Sequence, residues 1–342
     1  MKVTIKDIAR LAGVSPSSVS LVLNERPCRI SEEKKERIKR IAVEYHYSAN
    51  QMARSLVTKQ TKTVGLLMPD IENVFFSSLA KHIEMICRKQ GYALMIVNTN
   101  NEYRNDLQLT DLLVSRSVDG LFIIPSDESY KDCREMIEKL KTVHTPFVML
   151  DRVYDEIRCD KVQFDNEKGA FMAVQYLLDH GHRKIACITS SKASNNGRLR
   201  LKGYERAMAT CQLDIQAKYI LEGDYGVESG YMAADQLLSE DITAVFISND
   251  MMMLGFLRNM HEKNKQIPDD YSIVSYDHSI YTYLVGPEIT SVEQNTNELA
   301  EKACGLLFAR LQNPDKPYEQ LCLMPKLIEK SSVKRVESKV QA

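Results

Sequence analysis

No stretch of this 342-residue chain approaches eighteen consecutive apolar residues, so nothing in it reads as a membrane span. The opening MKVTIKDIAR lacks the apolar core of a secretion signal. The eight cysteines include no Cys-x-x-Cys pair and no zinc spacing. They fall mostly in apolar runs, as Cys87, Cys187 and Cys304 do, where a thiol serves as a small hydrophobe. Reduced thiols and a cytoplasmic location are expected. His180-Gly181-His182 supplies two imidazoles without further ligands, and a stable site needs three or four, so it reads as a loop. No metal, cofactor or membrane partner is expected.

Charge is low overall, −1, but unevenly spread. Residues 1–62 carry 13 Lys and Arg against 6 Asp and Glu, a net +7, and the remainder carries −8. A basic end on an acidic body suits a nucleic-acid module joined to something else. The length itself predicts two or three domains.

Residues Thr4 to Asn24, TIKDIARLAGVSPSSVSLVLN, organise the reading. Ile5, Ile8, Ala9 and Ala12 fall on one helical face, with Thr4 as cap and Asp7 in the first turn. Gly13 can stop that helix. Ser15 then reads as an N-cap and Pro16 as the first residue of a second helix, with Val14 and Val19 as a staple across its start. Val19, Val22 and Leu23 face inward; Pro16, Ser17, Ser20, Leu21 and Asn24 face outward. A third helix follows Ser31, with Ile38, Ile41, Ala42 and Tyr45 inside. Two short helices about a glycine turn can place a helix in a DNA major groove, and they equally fit an ordinary helical hairpin.

Ala12-Gly13-Val14-Ser15 followed by Val19-Ser20-Leu21-Val22-Leu23-Asn24 resembles the headpiece of the LacI/GalR family of bacterial transcription regulators. The resemblance implies a DNA-binding headpiece over 1–47, contacted through Thr4, Ser15, Pro16, Ser17, Ser18, Ser20, Leu21 and Asn24. It implies a hinge over 48–62, in which Asn50 and Ala53 lie against the minor groove and Leu56 wedges between base pairs. Two positions depart from the family pattern. Leu21 stands where Arg is common and offers only apolar contact, for example to a thymine methyl. Ala49 replaces the usual Pro before Asn50.

From Thr63 short apolar runs (Val64–Met68, Ala93–Val97, Gly120–Ile124, Phe147–Leu150, Ile185–Thr189, Ala244–Ile247, Ser272–Ser275) alternate with amphipathic segments such as Leu79–Lys89, Leu107–Ser115 and Ala170–His180. This is the pattern of parallel sheets covered by helices, an α/β class. By the resemblance, 63–342 is a two-lobed parallel α/β core like the periplasmic sugar-binding proteins, which binds effector and dimerises. The first lobe is expected over about 63–162 and 291–324, the second over about 163–290. The polar tail from Ser331 lacks heptads, so a homodimer is expected and no tail-made tetramer.

Open parallel sheets bind ligands beyond the carboxyl ends of their strands. Asp70 and Asn73, Asp151 and Arg152, Asn249 and Asp250, and Asp277 stand there. Each Asp could instead cap a loop or helix. Phe75 and Phe76 could line the cleft, or equally pack in a core or a dimer interface. Arg200 reads as lying just before a helix. The resemblance implies effector contacts at Arg200, Asn249, Asp277 and Asp151, with Tyr225 covering the ligand; Asp70, Asn73, Phe76 and Asp250 complete the candidate set.

Three function classes follow. A sugar-controlled, DNA-binding transcription regulator, a repressor on a palindromic operator, leads. A solute-uptake binding protein fits the two lobes but not the headpiece. An enzyme using Asp250 and Asp277 as a carboxylate pair would lack an accompanying nucleophile, metal set or phosphate loop, so no enzymatic activity is expected.

Overall fold

A computed structural model describes residues 3–23, 27–47, 58, 60–191, 194–284 and 286–336. The chain forms two compact units, residues 1–61 and 62–342. Asn24, Ala49, Asn50, Ala53 and Leu56 lie outside the described residues, and so does most of the expected hinge.

The first unit holds α1 (Ile5–Ala12), α2 (Pro16–Leu23) and α3 (Glu32–Glu44). At the head of α1, the Thr4 N–H and hydroxyl both donate to the Asp7 carboxylate, at 3.0 and 2.7 Å. Gly13 ends the helix with φ 70°, a left-handed conformation that suits a residue without Cβ. Ser15 caps α2 by accepting the Ser18 N–H at 3.1 Å. Ile8, Ala9, Ala12, Val19, Val22 and Ile38 form the buried core, with Val14, Leu23, Ile41 and Tyr47 packed around it. Tyr45, expected inside, is 42 % exposed. It closes α3 as the C-cap, and Tyr47 packs on the core from beyond the helix end.

The second unit carries two six-stranded sheets. Its elements alternate in chain order: β1 (Thr63–Met68), α4 (Val74–Lys89), β2 (Ala93–Asn98), α5 (Tyr103–Ser115), β3 (Gly120–Ile123), α6 (Arg134–Thr142), β4 (Phe147–Leu150) and β5 (Asp160–Phe164). Then come α7 (Asn166–Asp179), β6 (Ile185–Ser190), α8 (Asn195–Thr210), β7 (Ile220–Gly223), α9 (Val227–Leu237), β8 (Ala244–Ile247), α10 (Asp250–Glu262), β9 (Ser272–Asp277) and β10 (Thr290–Glu293). The last are α11 (Thr296–Gln312), β11 (Gln320–Leu323) and β12 (Lys326–Ile328).

The first sheet runs β11-β5-β4-β3-β1-β2, all parallel. The second runs β12-β10-β9-β8-β6-β7 and is parallel except for the β10–β12 pair. The polypeptide therefore passes between the lobes three times: after β5, after β10 and after β11. The expected first-lobe return at about 291–324 is corrected at its start, while its end falls with β11 at Leu323. Residues 290–293 pair with β9 in the second sheet, and after Leu323 the chain goes back to the second sheet as β12. Only α11 and β11 return. A buried ion pair, Arg310 to Asp160 at 3.0 Å, ties α11 to β5 across the intervening sequence.

The segment after β12 also belongs to the second lobe. Ser332 is fully buried, takes the Thr290 N–H at 2.8 Å and donates to the Ile273 carbonyl at 2.7 Å. His182 lies in the loop between α7 and β6, as expected, and is buried there between Thr243 Oγ1 (2.8 Å) and the Lys334 carbonyl (3.0 Å), where it tethers this segment. Helices α9 and α10 cross so closely that a Cβ on Gly255 would lie 1.8 Å from the Val227 carbonyl oxygen.

Candidate functional site

The carboxyl ends of both sheets face one cleft, lined by Asn73, Phe75, Phe76, Asp151, Arg152, Asn196, Arg200, Tyr225, Asn249, Asp277 and Gln294. About 20 Å3 is open among these side chains, and the cleft adjoins a larger space through Asn73, Phe76, Arg152 and Tyr225. A second space of about 280 Å3 opens beside Asp70, Asn100, Asn101 and Asp224.

Two guanidinium groups frame the cleft. Arg152, just past β4, pairs with Asp127 at 2.8 Å, donates to Asn101 Oδ1 at 2.9 Å and lies 5.3 Å from the Phe76 ring centre. Arg200 donates to Asn166 Oδ1 at 2.8 Å and to the Ser248 carbonyl, stacks 3.9 Å over Tyr276, and stands 3.6 Å from Asp277. The Tyr225 ring lies within 6 Å of both, at 5.9 and 5.8 Å. Arg200 sits inside α8, not before it, because Ser194 caps that helix by accepting the Gly197 N–H at 3.2 Å.

Several polar atoms here are buried without a partner: Asp151 Oδ1, Asn196 Oδ1, Gln294 Oε1 and Arg152 Nε. Such atoms cost stability unless something completes them. Asp151, Tyr225 and Asp277 also hold φ of 57°, 66° and 90°. Left-handed backbone at non-glycine residues costs roughly 1 kcal/mol or more each and gathers at ligand sites. Burial pushes the Asp151 carboxyl up to about 6, against the pull of Arg152 and Arg200. Asp277 is likewise raised by burial, in spite of Arg200 and of Gln294, which donates to it at 2.8 Å.

The other expected residues are placed differently. Asn73 and Asn249 both cap helices, accepting the N–H groups of Phe75 (3.0 Å) and Met252 (2.9 Å), and still line the cleft. Asp250 does not line it. Its carboxylate accepts from Ser275 Oγ, from Ser279 N and Oγ, and from Ile280 N, so it clamps the loop that carries Asp277. Burial, with Asp277 close by, pushes Asp250 up to about 7. Asp70 lies at the mouth and accepts the Glu72 N–H in its own turn at 2.9 Å.

Asn196, Gln294 and Asp127 were not singled out from the sequence. Asn196 reaches across the cleft to Asp151 at 3.2 Å, and Ser194 donates to Asp127 at 2.6 Å. Gln294 follows β10, whose run TSVE gave no strand signal. The polar residue beyond a strand was the available signal only for residues whose strand was recognised.

In the first unit, Pro16 and Ser17 are exposed, while Ser18, Ser20 and Leu21 are half-buried. Among the described residues no group of His, Cys, Asp or Glu is placed to hold a metal, and no helix is long and apolar enough to cross a membrane.

Fold and cleft together define a helix-turn-helix module joined to a periplasmic-type binding core. Residues 4–50 match the model of bacterial regulatory proteins, lacI family, and residues 174–333 match that of a periplasmic binding protein-like domain. The ribose operon repressor of Escherichia coli (strain K12) is 35 % identical over 331 residues, 96 % of this chain and 99 % of that one. The HTH-type transcriptional repressor PurR of Vibrio atlanticus is 32 % identical over 333 residues, 97 % and 98 % of the two. Among solved structures, a LacI family regulator from Enterococcus faecium with bound ribose aligns at TM-score 0.72 and 32 % identity, over 80 % of this chain and all of that one. The lac repressor dimer bound to operator and an anti-inducer aligns at TM-score 0.86 and 25 % identity, over 98 % of this chain and all of that one. The chain belongs to the LacI family. It is a DNA-binding regulator controlled by a small-molecule effector, and not an enzyme.

Proposed function

We propose that the protein is a cytoplasmic, homodimeric repressor, with headpiece 1–47 and hinge 48–62 on a near-palindromic operator and a neutral, pentose-sized sugar spanning the cleft and the space of about 280 Å3 beside it. The unpartnered buried atoms carry this reading. Asp151, Asn196 and Gln294 offer acceptors and Arg152 an N–H donor, which is what several sugar hydroxyls need, each being donor and acceptor at once. Arg152 and Arg200 are balanced by Asp151 and Asp277, with Asp127 behind, so no net positive charge favours an anion. Phe75, Phe76 and Tyr225 supply apolar faces for the ring. Ribose is bound in the Enterococcus regulator, and a ribose operon repressor is among the relatives.

The test is calorimetric titration of the full chain with ribose, xylose, glucose and hypoxanthine. Saturable binding of a pentose, tighter than glucose, supports the reading; binding of hypoxanthine alone refutes it. A gel shift with and without the bound sugar then reads whether it releases or tightens operator.

A further inference from the structure

The second helix of a helix-turn-helix module presents its side chains to base edges in the major groove. In this chain that helix, α2, reads PSSVSLVL. It holds no Arg or Lys for guanine, no Asn or Gln for adenine, and no Asp or Glu for cytosine, the side chains that pair in two-point fashion with those bases. Its hydroxyls can meet any base or a phosphate. Thymine alone presents a methyl group in the groove, and an apolar side chain reads it.

Beyond Pro16, whose ring opens the helix, Leu21 is the apolar residue of α2 free to do so. Val19 and Val22 are buried and Leu23 packs on the headpiece core. Leu21 is half-exposed and, among the described residues, is not part of that core. Among the described residues the basic side chains of the headpiece lie off α2: Lys6 and Arg10 on α1, Arg29 before α3, and Lys34, Lys35, Arg37, Lys39 and Arg40 on α3. Positive charge placed there suits phosphates, which set position and strength but not sequence.

We propose that Leu21 is the sequence-specifying residue of α2 and that it selects a thymine through its 5-methyl group. This rests on the DNA-binding reading above. Charge on α1 and α3 then governs affinity, and an uncharged α2 governs discrimination.

The experiment uses the full chain. It first enriches its own target from a randomised duplex library. Each symmetric thymine pair of the selected duplex is then replaced by deoxyuridine, which removes only the methyl. Losing one buried methyl weakens binding roughly fourfold per half-site, about fifteenfold for the symmetric pair. That loss is expected at one symmetric position within each half-site. In Leu21→Ala the same replacement is expected to be silent, while Leu21→Met keeps it and Leu21→Arg enriches guanine there instead. Because Leu21 lies off the core, these variants are expected to fold, as circular dichroism checks. Two results overturn the proposal: no thymine whose methyl matters, or a methyl effect undiminished in Leu21→Ala. Failure to enrich any duplex overturns the DNA-binding reading along with it, and so is told apart from the other two.

Discussion

Replacing Asp151 by Asn should make the effector-free protein more stable and deaf to sugar. Asp151 is 3 % exposed, and the single hydrogen bond to its carboxylate comes from Asn196. Burial raises its carboxyl from 3.8 to about 6. A carboxylic acid that holds its proton more tightly when folded than when unfolded is destabilising once ionised. The penalty is absent below about pH 4, grows between pH 4 and 6, and is complete above that. At one pKa unit per 1.36 kcal/mol, it reaches about 3 kcal/mol at pH 7. The attraction of Arg152 and Arg200 is already contained in that figure.

An asparagine keeps the shape and the acceptor facing Asn196 but carries no charge to bury. The core melting transition of Asp151→Asn should therefore rise by several degrees at pH 7, since each kcal/mol moves a domain of this size by roughly 2–4 °C. The advantage should shrink to under about 1 kcal/mol at pH 4, where the wild-type group is itself largely protonated. Sugar should no longer raise the melting temperature. Calorimetric melts at pH 4, 5.5 and 7 provide the check. A variant less stable than wild type at pH 7, or a gain that ignores pH, would refute the claim that the cleft is held charged at the expense of stability.

Arg200→Ala should abolish the sugar response and lower core stability by about 3–5 kcal/mol, because Asp277 is left buried without its cation; Arg200→Lys should refold the core but not restore the response in a gel shift. Sugar affinity of the wild type should fall below about pH 6, by up to tenfold per unit, as Asp151 takes up a proton and ceases to accept from a hydroxyl. A flat titration between pH 5 and 7.5 removes Asp151 from the contact set. Leu56→Ala should weaken operator binding while leaving sugar affinity unchanged, and equal operator affinity in a titrated gel shift would dispose of the wedge.

What could be read in the sequence was whatever local chemistry decides. The Gly13 turn, the Ser15 cap and the apolar faces of α1 and α2 depend on residues a few places apart, so their pattern survives in one dimension. The same holds for β1, β3, β4, β8 and β9, whose runs are apolar because both sheet faces are covered. Strand β5 escaped because its sequence is DKVQF. Asp160 and Lys161 are buried there only because Arg310 and the Tyr154 carbonyl receive them, and those partners lie elsewhere in the chain. Arg200 was misplaced for a related reason: a run rich in Ser and Asn, SSKASNNG, reads as loop, yet Ser194 uses its hydroxyl to start α8.

The cleft shows the same division in sharper form. Asp151 and Asp277 follow recognisable strands, but the residues that complete them, Asn196 and Gln294, follow a misread loop and an unrecognised strand. Asp250 inverts the case. It stands at a strand end, the expected place for a ligand contact, yet four hydrogen bonds from Ser275, Ser279 and Ile280 turn it to the loop beneath Asp277. A carboxylate that is fully hydrogen-bonded by its own chain has nothing left to offer a sugar. Asp151, with one oxygen unpartnered, has. On the proposed sugar reading, hydrogen-bond saturation, which depends on tertiary neighbours, is what separates a candidate ligand contact from a structural clamp among residues of the same type at equivalent strand ends.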